Sequence, residues 1–272
     1  MSVELLDGTL ALHGQSIERV IGEMHGHIYE SFSLEDMADI ACLSSSYFNR
    51  TFRQIIGIPP GEFLAALRLN AARRLLLTTD LPVLDICFSV GYTSLGTFTT
   101  RFTQLIGLSP QQMRRFMQRC DPASFATLIT ASGDTSPIRQ PLHSVAGTIS
   151  IPQDFTGIIC VGLFPKPMPQ CQPTRCTKLT SAGSFLIPQV PDGTYYVMAA
   201  GMPVAKSMHA YLVPDHRWYV GAGVAPITMR HGIQHGAAHV TLHAPRLTDP
   251  PVLIALPYLL ASAFLTVPSL SQ

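Results

Sequence analysis

The stretch FNRTFRQIIGIPP, residues 48–60, returns fifty residues later as FTTRFTQLIGLSP, residues 98–110. Both copies carry Phe, Phe, Gln, Ile, Gly and a final Pro in register, while most of the polar residues between them differ. At about 100° per residue, the shared apolar residues fall on one side of a helix and the differing polar residues on the other. The repeat therefore predicts two units that fold alike and present different surfaces.

Each copy is predicted to be the second helix of a helix-turn-helix unit. In the first unit, residues 33–36 resemble a capping box, and apolar residues at helical spacing follow them. An interruption at residues 42–45 separates this first helix from the second, which Gly57 and Pro59 end. The order is helix, tight turn, helix, and it recurs in the second copy.

A long helix over about residues 61–79 is predicted to join the two units. Nineteen residues span about 28 Å at about 1.5 Å per residue, and successive major-groove faces of B-DNA lie about 34 Å apart. A spacer of this length can hold two recognition helices on one face of a duplex. The alternative is a helical repeat that packs only to bury its core, but such a repeat normally continues beyond two copies.

The net charge of +1 hides an asymmetry along the chain. Residues 1–43 hold eight acids against Arg19 alone, whereas residues 44–119 hold nine arginines against three acids, and the first lysine is Lys166. Arginine suits the bidentate recognition of phosphate and guanine. Solvated helix faces also produce basic blocks, but binding of a polyanion explains this one better.

Residues 16–118 resemble the DNA-binding domain of the AraC/XylS family of bacterial transcription regulators. The resemblance lies in LEDMADIACLSSSYFNRTFRQIIGIPPGEFL, residues 34–64, and in VLDICFSVGYTSLGTFTTRFTQLIGLSP, residues 83–110. It implies that the second helix of each unit enters one of two successive major grooves. By position, the implied base contacts are Ser46, Asn49 and Arg50 in the first unit and Gly96, Thr97 and Thr100 in the second.

The second set departs from the long polar side chains often found at these positions in the family. Gly96 has no side chain, whereas Thr97 and Thr100 offer a hydroxyl and a methyl group. The first unit is therefore expected to carry most of the sequence discrimination, and the second mainly to support position. Four further arginines are expected to contact phosphate or to serve as surface charges: Arg53, Arg101, Arg114 and Arg115.

The pattern changes to short strands in the second half of the chain. Residues 119–142 predict a linker, because they are rich in Ser, Thr, Pro and Gly. VAGTISIP, GIICVGLF and TSAGSFLIPQVPDGTYYVMAAG, between residues 145 and 201, resemble the carboxypeptidase-regulatory or transthyretin-like β-sandwich. Further strands are predicted at 209–213, 217–222, 226–230 and 238–243.

The predicted fold is thus an all-α domain over residues 1–118 followed, after the linker, by an all-β sandwich over residues 143–250. The all-α domain holds two helix-turn-helix units joined by a long helix. Residues 251–272 form an uncharged apolar tail, which is expected to dock on the fold because Pro257 interrupts it as a membrane helix.

Two groups of side chains are candidates for sensing, one for a metal ion and one for a change in redox state. Four histidines recur every four residues: His231, His235, His239 and His243. Helical spacing would place them as metal ligands, but glycines and a proline among them argue against a helix, and no metal site is expected. Cys171 and Cys176 lie near Arg175 and Lys178, which would lower a thiol pKa and allow redox sensing. Solvent-facing loop residues are the default interpretation of both groups.

The predicted function is sequence-specific DNA binding in transcription regulation, with double-stranded promoter or operator DNA as the partner. No nucleotide-binding loop and no carboxylate pair suited to acid–base chemistry stands out, so neither an enzyme nor a cofactor is predicted. The β domain is interpreted as a module for a small-molecule effector, with a ligand-free dimerisation or partner surface and a metal or thiol sensor as alternatives. RNA polymerase contact, a homodimer, and activation or repression stay open.

A cytoplasmic protein without a membrane partner is expected. The first twenty residues carry four charged residues and no continuous apolar core, unlike a secretory signal. The six cysteines are irregularly spaced and do not form a disulfide framework, which fits a reducing compartment.

Overall fold

The computed structural model describes residues 3–130, 142–152 and 155–264. The chain divides into two compact units. One holds the residues up to Gln104 together with Arg246–Leu253, and the other holds Leu105–Pro245 and the residues from Ile254 onward. The division falls within the helix Leu95–Ile106. The helices of the first half are α1 (Val3–Gly26), α2 (Leu34–Ile40), α3 (Ser45–Ile56), α4 (Pro60–Thr78), α5 (Val83–Ser89), α6 (Leu95–Ile106), α7 (Pro110–Arg119) and α8 (Pro122–Thr130).

Capping contacts confirm the predicted start of α2 and also mark the start of α7. Ser33 forms a capping box with Asp36, whose backbone N–H donates to the serine hydroxyl at 3.1 Å, while the Ser33 N–H donates to the Asp36 carboxylate at 2.8 Å. Ser109 and Gln112 form the same arrangement at the start of α7. Each capping contact satisfies backbone donors that a helix start leaves unpaired.

Phenylalanines anchor the repeated helices. On α3, Phe48 and Phe52 are fully buried with ring centroids 5.7 Å apart, and Phe52 meets Phe63 of α4 at 5.8 Å. On α6, Phe98 and Phe102 are equally buried, with centroids 5.6 Å apart. The shared phenylalanines of the repeat therefore lie on the buried side of each helix, as the sequence predicts.

Both repeats end on a glycine in the left-handed backbone region. Gly57 has φ +90° and Gly107 has φ +93°. An L side chain is strained in this conformation, which explains why the glycine persists in both copies while its polar neighbours change. Cys42 lies within the predicted interruption after α2, where it is exposed and has φ +57°.

The second unit is rich in β-structure. Its strands are β1 (Val145–Ser150), β2 (Gly157–Phe164), β3 (Arg175–Leu179), β4 (Gly183–Ile187), β5 (Gly193–Pro203), β6 (Tyr219–Ala222), β7 (Ile227–Arg230), β8 (Ile233–His235) and β9 (His239–Thr241). A three-stranded sheet has the order β4-β1-β9, and a larger sheet has the order β3-β2-β5-β7-β8, with β6 paired to β5.

Inward side chains of both sheets share one hydrophobic core. β2 is buried along its whole length and pairs antiparallel with β5 from Gly157 opposite Pro203 to Phe164 opposite Tyr196. β1 pairs antiparallel with β4 and parallel with β9. Apolar residues from β1, β2, β4, β5, β7 and β9 meet in the core.

Two local predictions in this unit are wrong. The strand predicted at 209–213 is a short helix, α9 (Met208–Leu212), which starts where the hydroxyl of Ser207 accepts a hydrogen bond from the Ala210 N–H. β3 begins at Arg175, so Cys176, which was interpreted as a loop residue, lies on a strand that pairs antiparallel with β2. In both places short local patterns were outweighed by tertiary contacts.

The predicted linker and tail contain ordered helices. α8 occupies the first part of the linker, and residues 131–141 lie outside the described residues. The tail forms α10 (Leu256–Phe264), while residues 265–272 lie outside the described residues. None of the helices in the described residues combines the length and the apolar character that a membrane span requires.

Candidate nucleic-acid interface

The outward face of α3 carries the three side chains predicted to contact bases. Ser46, Asn49 and Arg50 are all exposed, because Phe48 and Phe52 hold the opposite face against the core. Arg53 lies one turn further along and is also exposed. The helix therefore presents a hydroxyl, an amide and two guanidinium groups to solvent, a set able to donate to base edges and phosphates.

The outward face of α6 is smaller and carries less charge. Gly96, Thr97 and Thr100 are exposed, as is Arg101, and the apolar side chain of Leu95 is partly exposed beside them. The Thr97 N–H donates to the Ser94 hydroxyl at 3.4 Å in the first turn. This face offers hydroxyl and methyl groups with one guanidinium, so it has fewer ways to discriminate between bases.

Position-by-position comparison of the two helices shows where they differ. Arg50 corresponds to Thr100, and Tyr47 corresponds to Thr97. Asn49 corresponds to Thr99, which is half-buried and accepts a hydrogen bond from the Thr103 hydroxyl at 2.7 Å through its backbone carbonyl. The first helix thus carries long polar groups at positions where the second carries threonine.

Arg50 does not project alone from α3. Its guanidinium carbon lies 5.6 Å from the centroid of the Tyr47 ring, within the range of a cation–π contact. The Tyr47 hydroxyl is hydrogen bonded to His13 Nε2 of α1 at 3.1 Å, and the two rings meet edge to face at 5.5 Å. Tyr47 was not among the predicted site residues, although its position equivalent to Thr97 in the repeat points to it.

The other arginines predicted to contact phosphate differ in exposure. Arg53, Arg101 and Arg115 are exposed, whereas Arg114 is half-buried on α7. All four phosphate contacts stay predictions, and Arg114 is the least accessible of the four side chains.

Two further arginines of the basic block serve the fold. Arg68 on α4 is half-buried, and its Nε donates to the Ile28 carbonyl at 3.0 Å, with Nη2 donating to the Glu30 carbonyl. These contacts tie α4 to the connection between α1 and α2. Burial lowers the pKa of Arg68, and the nearby Tyr92 opposes that shift.

Arg73 is deeply buried, with 1% of its surface exposed. It donates to the Leu253 carbonyl at 3.1 Å, to the Val252 carbonyl at 2.9 Å, and to Asn70 Oδ1. Burial lowers its pKa to about 9, so the group stays cationic at neutral pH. The segment Arg246–Leu253 thereby joins the helical unit, a contact that local sequence patterns do not reveal.

The four histidines fall on separate strands and turns. His231 lies in the turn after β7 at φ +52°, where its N–H and that of Gly232 donate to the Asp192 carboxylate at 2.7 and 3.0 Å. His239 of β9 is hydrogen bonded to the Thr148 hydroxyl at 2.7 Å. Among the described residues, no group of three or more His, Cys, Asp or Glu side chains is placed to hold a metal ion.

The expected lowering of the two thiol pKa values is wrong. Burial raises the pKa of Cys171 and of Cys176, although Lys166 and Arg175, respectively, oppose the shift. A raised pKa leaves less of the reactive thiolate at neutral pH. The lowered pKa that redox sensing would require is therefore not found at Cys171 or at Cys176.

Comparison with known proteins places the similarity in the helical part of the chain. Residues 37–115 match the family model described as a helix-turn-helix domain. The chain is 29% identical over 123 residues to the melibiose operon regulatory protein of Escherichia coli K12, covering 42% of this chain and 41% of that protein. It is 32% identical over 98 residues to the HTH-type transcriptional activator AarP of Providencia stuartii, covering 36% of this chain and 73% of AarP.

A solved structure with similarity is the DNA-binding domain of AdpA, a global transcriptional factor, in complex with a target DNA. It is 30% identical, with a TM-score of 0.37, and the match covers 38% of this chain and 94% of that one. The chain thus spans less than half the length of the melibiose regulator, and the family model ends at residue 115, before β1 begins.

Proposed function

Because the chain belongs to the AraC/XylS family, we propose that it is a sequence-specific DNA-binding transcriptional regulator acting in the cytoplasm. One observation supports this most strongly. α3 and α6 bury matching phenylalanines and expose differing polar faces, and the nineteen-residue helix α4 lies between them in the chain. In this proposal, the two helices enter successive major grooves of promoter or operator DNA, and the chain has no catalytic role.

The proposed base contacts are unequal between the two helices. Arg50 makes the main discriminating contact, as a bidentate donor to guanine, and Asn49 and Ser46 contribute beside it. Thr97 and Thr100 make weaker contacts to a thymine methyl group or to phosphate, and the backbone of Gly96 allows close approach. Arg53, Arg101, Arg114 and Arg115 contact phosphates, which fixes register without reading sequence.

The test is a selection of sites from random duplex DNA by the full-length chain, repeated at about 50 and about 200 mM salt. The expected result is a motif with two elements about 10–10.5 base pairs apart, one more strongly specified than the other. Arg50→Ala should weaken the motif, whereas Arg19→Ala, which removes the same charge from α1, should leave it unchanged. Enrichment of no motif at either salt concentration would refute the proposed function.

For the β-rich unit we propose a regulatory role, with its two sheets forming a sandwich of the carboxypeptidase-regulatory type. Binding of a small effector predicts a raised Tm for the full-length chain with one member of a metabolite panel. A ligand-free association surface predicts instead a concentration-dependent sedimentation coefficient without any ligand. If neither the rise in Tm nor the concentration-dependent sedimentation is observed, this unit does not regulate by itself. RNA polymerase is proposed as a further partner on family grounds alone.

A further inference from the structure

An arginine that reads a base must first be ordered. Its long side chain has many rotamers in the free protein, and this rotamer entropy is reduced when the guanidinium is fixed on a guanine. Arg50 projects from an exposed helix face, where solvent alone would leave it mobile. The Tyr47 ring, 5.6 Å from the guanidinium carbon, offers a surface that restricts it before DNA arrives.

Tyr47 is in turn held from outside the helix-turn-helix unit. Tyr47 is 37% exposed, yet its hydroxyl is hydrogen bonded to His13 Nε2 at 3.1 Å. His13 lies on α1 and meets the tyrosine ring edge to face at an interplanar angle of 70°. Edge-to-face geometry is the preferred arrangement for aromatic rings, so the hydroxyl and the ring are both constrained.

α6 lacks both the long arginine side chain and the aromatic ring that contacts it on α3. Thr97 stands at the position of Tyr47, and Thr100 at the position of Arg50. A threonine hydroxyl has one stiff side-chain torsion and needs no external surface to orient it. An aromatic ring is therefore present beside the long side chain of Arg50 and absent beside the short side chain of Thr100, which stands at the corresponding position of α6.

We propose that Tyr47 is a positioning residue for DNA recognition, which acts by orienting Arg50 and is itself held by His13. This inference rests on the proposed function. α1 then contributes to base selectivity without touching DNA, because its histidine fixes the ring on which the guanidinium lies. Preorganised contacts of this kind improve affinity mainly by lowering the ordering cost.

The test measures binding of the full-length chain to its selected site and to every single-base-pair variant of that site. Arg50→Ala first identifies the base pair that Arg50 reads. Tyr47→Leu should then reduce discrimination at that base pair by about two- to fivefold, the range expected for an exposed cation–π contact. Tyr47→Phe and His13→Ala both keep the aromatic ring at position 47 but lose its hydrogen bond to His13. They should give smaller losses of discrimination at the same base pair.

Two controls separate positioning from a general effect on folding. Tyr29→Leu removes an exposed tyrosine of the same unit and should change no base preference. The double variant Tyr47→Leu/Arg50→Ala should discriminate no worse than Arg50→Ala, because the tyrosine acts only through the arginine. A purely structural role would instead lower affinity for all sites alike and lower the Tm.

The outcomes are distinguishable. If the wild-type chain selects a site and Tyr47→Leu keeps full discrimination at the Arg50 base pair, this inference is refuted and the proposed function stands. Additive losses in the double variant would refute it equally. A wild-type chain that selects no site refutes the proposed function, and the inference with it.

Discussion

The two helix-turn-helix units are alike on their buried sides and unlike on their exposed sides. Phe48 and Phe52 correspond to Phe98 and Phe102, and all four rings are buried. At the outward position, an arginine of the first helix corresponds to a threonine of the second. The difference teaches that folding and recognition are encoded on opposite faces of the same short helix, so that one can vary while the other is kept.

The largest expected effect tests whether the two cores are equivalent. Phe52→Ala and Phe102→Ala should each reduce the free energy of unfolding by about 3–5 kcal/mol, because each removes a fully buried ring and leaves a cavity. Chemical denaturation of both full-length variants checks this. Losses that differ by more than about 2 kcal/mol would break the equivalence of the two cores.

The next prediction concerns Arg73, a buried arginine that stabilises the fold, and it is compared below with the exposed Arg50. Arg73→Ala should reduce the free energy of unfolding by about 1–3 kcal/mol for each buried carbonyl it leaves unpaired, at Val252 and Leu253. The selected DNA motif should keep its base preferences, since Arg73 is buried. A variant of normal stability with altered base preferences would contradict this division of roles.

Arg50→Ala should show the opposite pattern. It should cost about 1–3 kcal/mol at one base pair and relax specificity there. The free energy of unfolding should change by no more than about 0.5 kcal/mol, because the side chain is exposed. Competition binding with single-base-pair variants gives the first quantity and denaturation gives the second. A uniform loss across all sites would make Arg50 a phosphate contact instead.

The smallest effect is expected at the matching position of the second helix. Thr100→Ala should cost less than about 1 kcal/mol at its base pair, since a single hydroxyl or methyl contact is lost. The same competition assay measures it beside Arg50→Ala. A loss at Thr100 that exceeds the loss at Arg50 would reverse the proposed order of the two readers.

Local signals were enough to predict the helical unit. Capping residues, glycine stops and apolar periodicity each act within a few residues, and so Ser33, Gly57 and Phe52 could be assigned from sequence. The exposure of Arg50 and Thr100 followed from the same periodicity. Charge alone was a poorer guide, because a formal count cannot tell a solvated arginine from one that donates to carbonyl groups inside the fold.

Features that depend on distant partners could not be predicted. Arg73 meets carbonyls about 180 residues away in the chain, and no local pattern encodes that contact. The helix at Met208–Leu212 replaced a predicted strand, since a five-residue apolar stretch fits either state and tertiary contacts decide. His13 and Tyr47 are likewise separated by 34 residues, so only the structure brings them together.

An exchange of outward faces tests the central claim most directly. The full-length triple variant Ser46→Gly/Asn49→Thr/Arg50→Thr gives the three predicted base-contacting positions of α3 the residues that stand at the matching positions of α6, while its phenylalanines stay in place. We expect the free energy of unfolding to fall by no more than about 1 kcal/mol, chiefly from the added glycine, and the strongly specified element of the DNA motif to disappear. Loss of several kcal/mol of stability, or a motif that survives the exchange, would contradict the separation of folding from recognition.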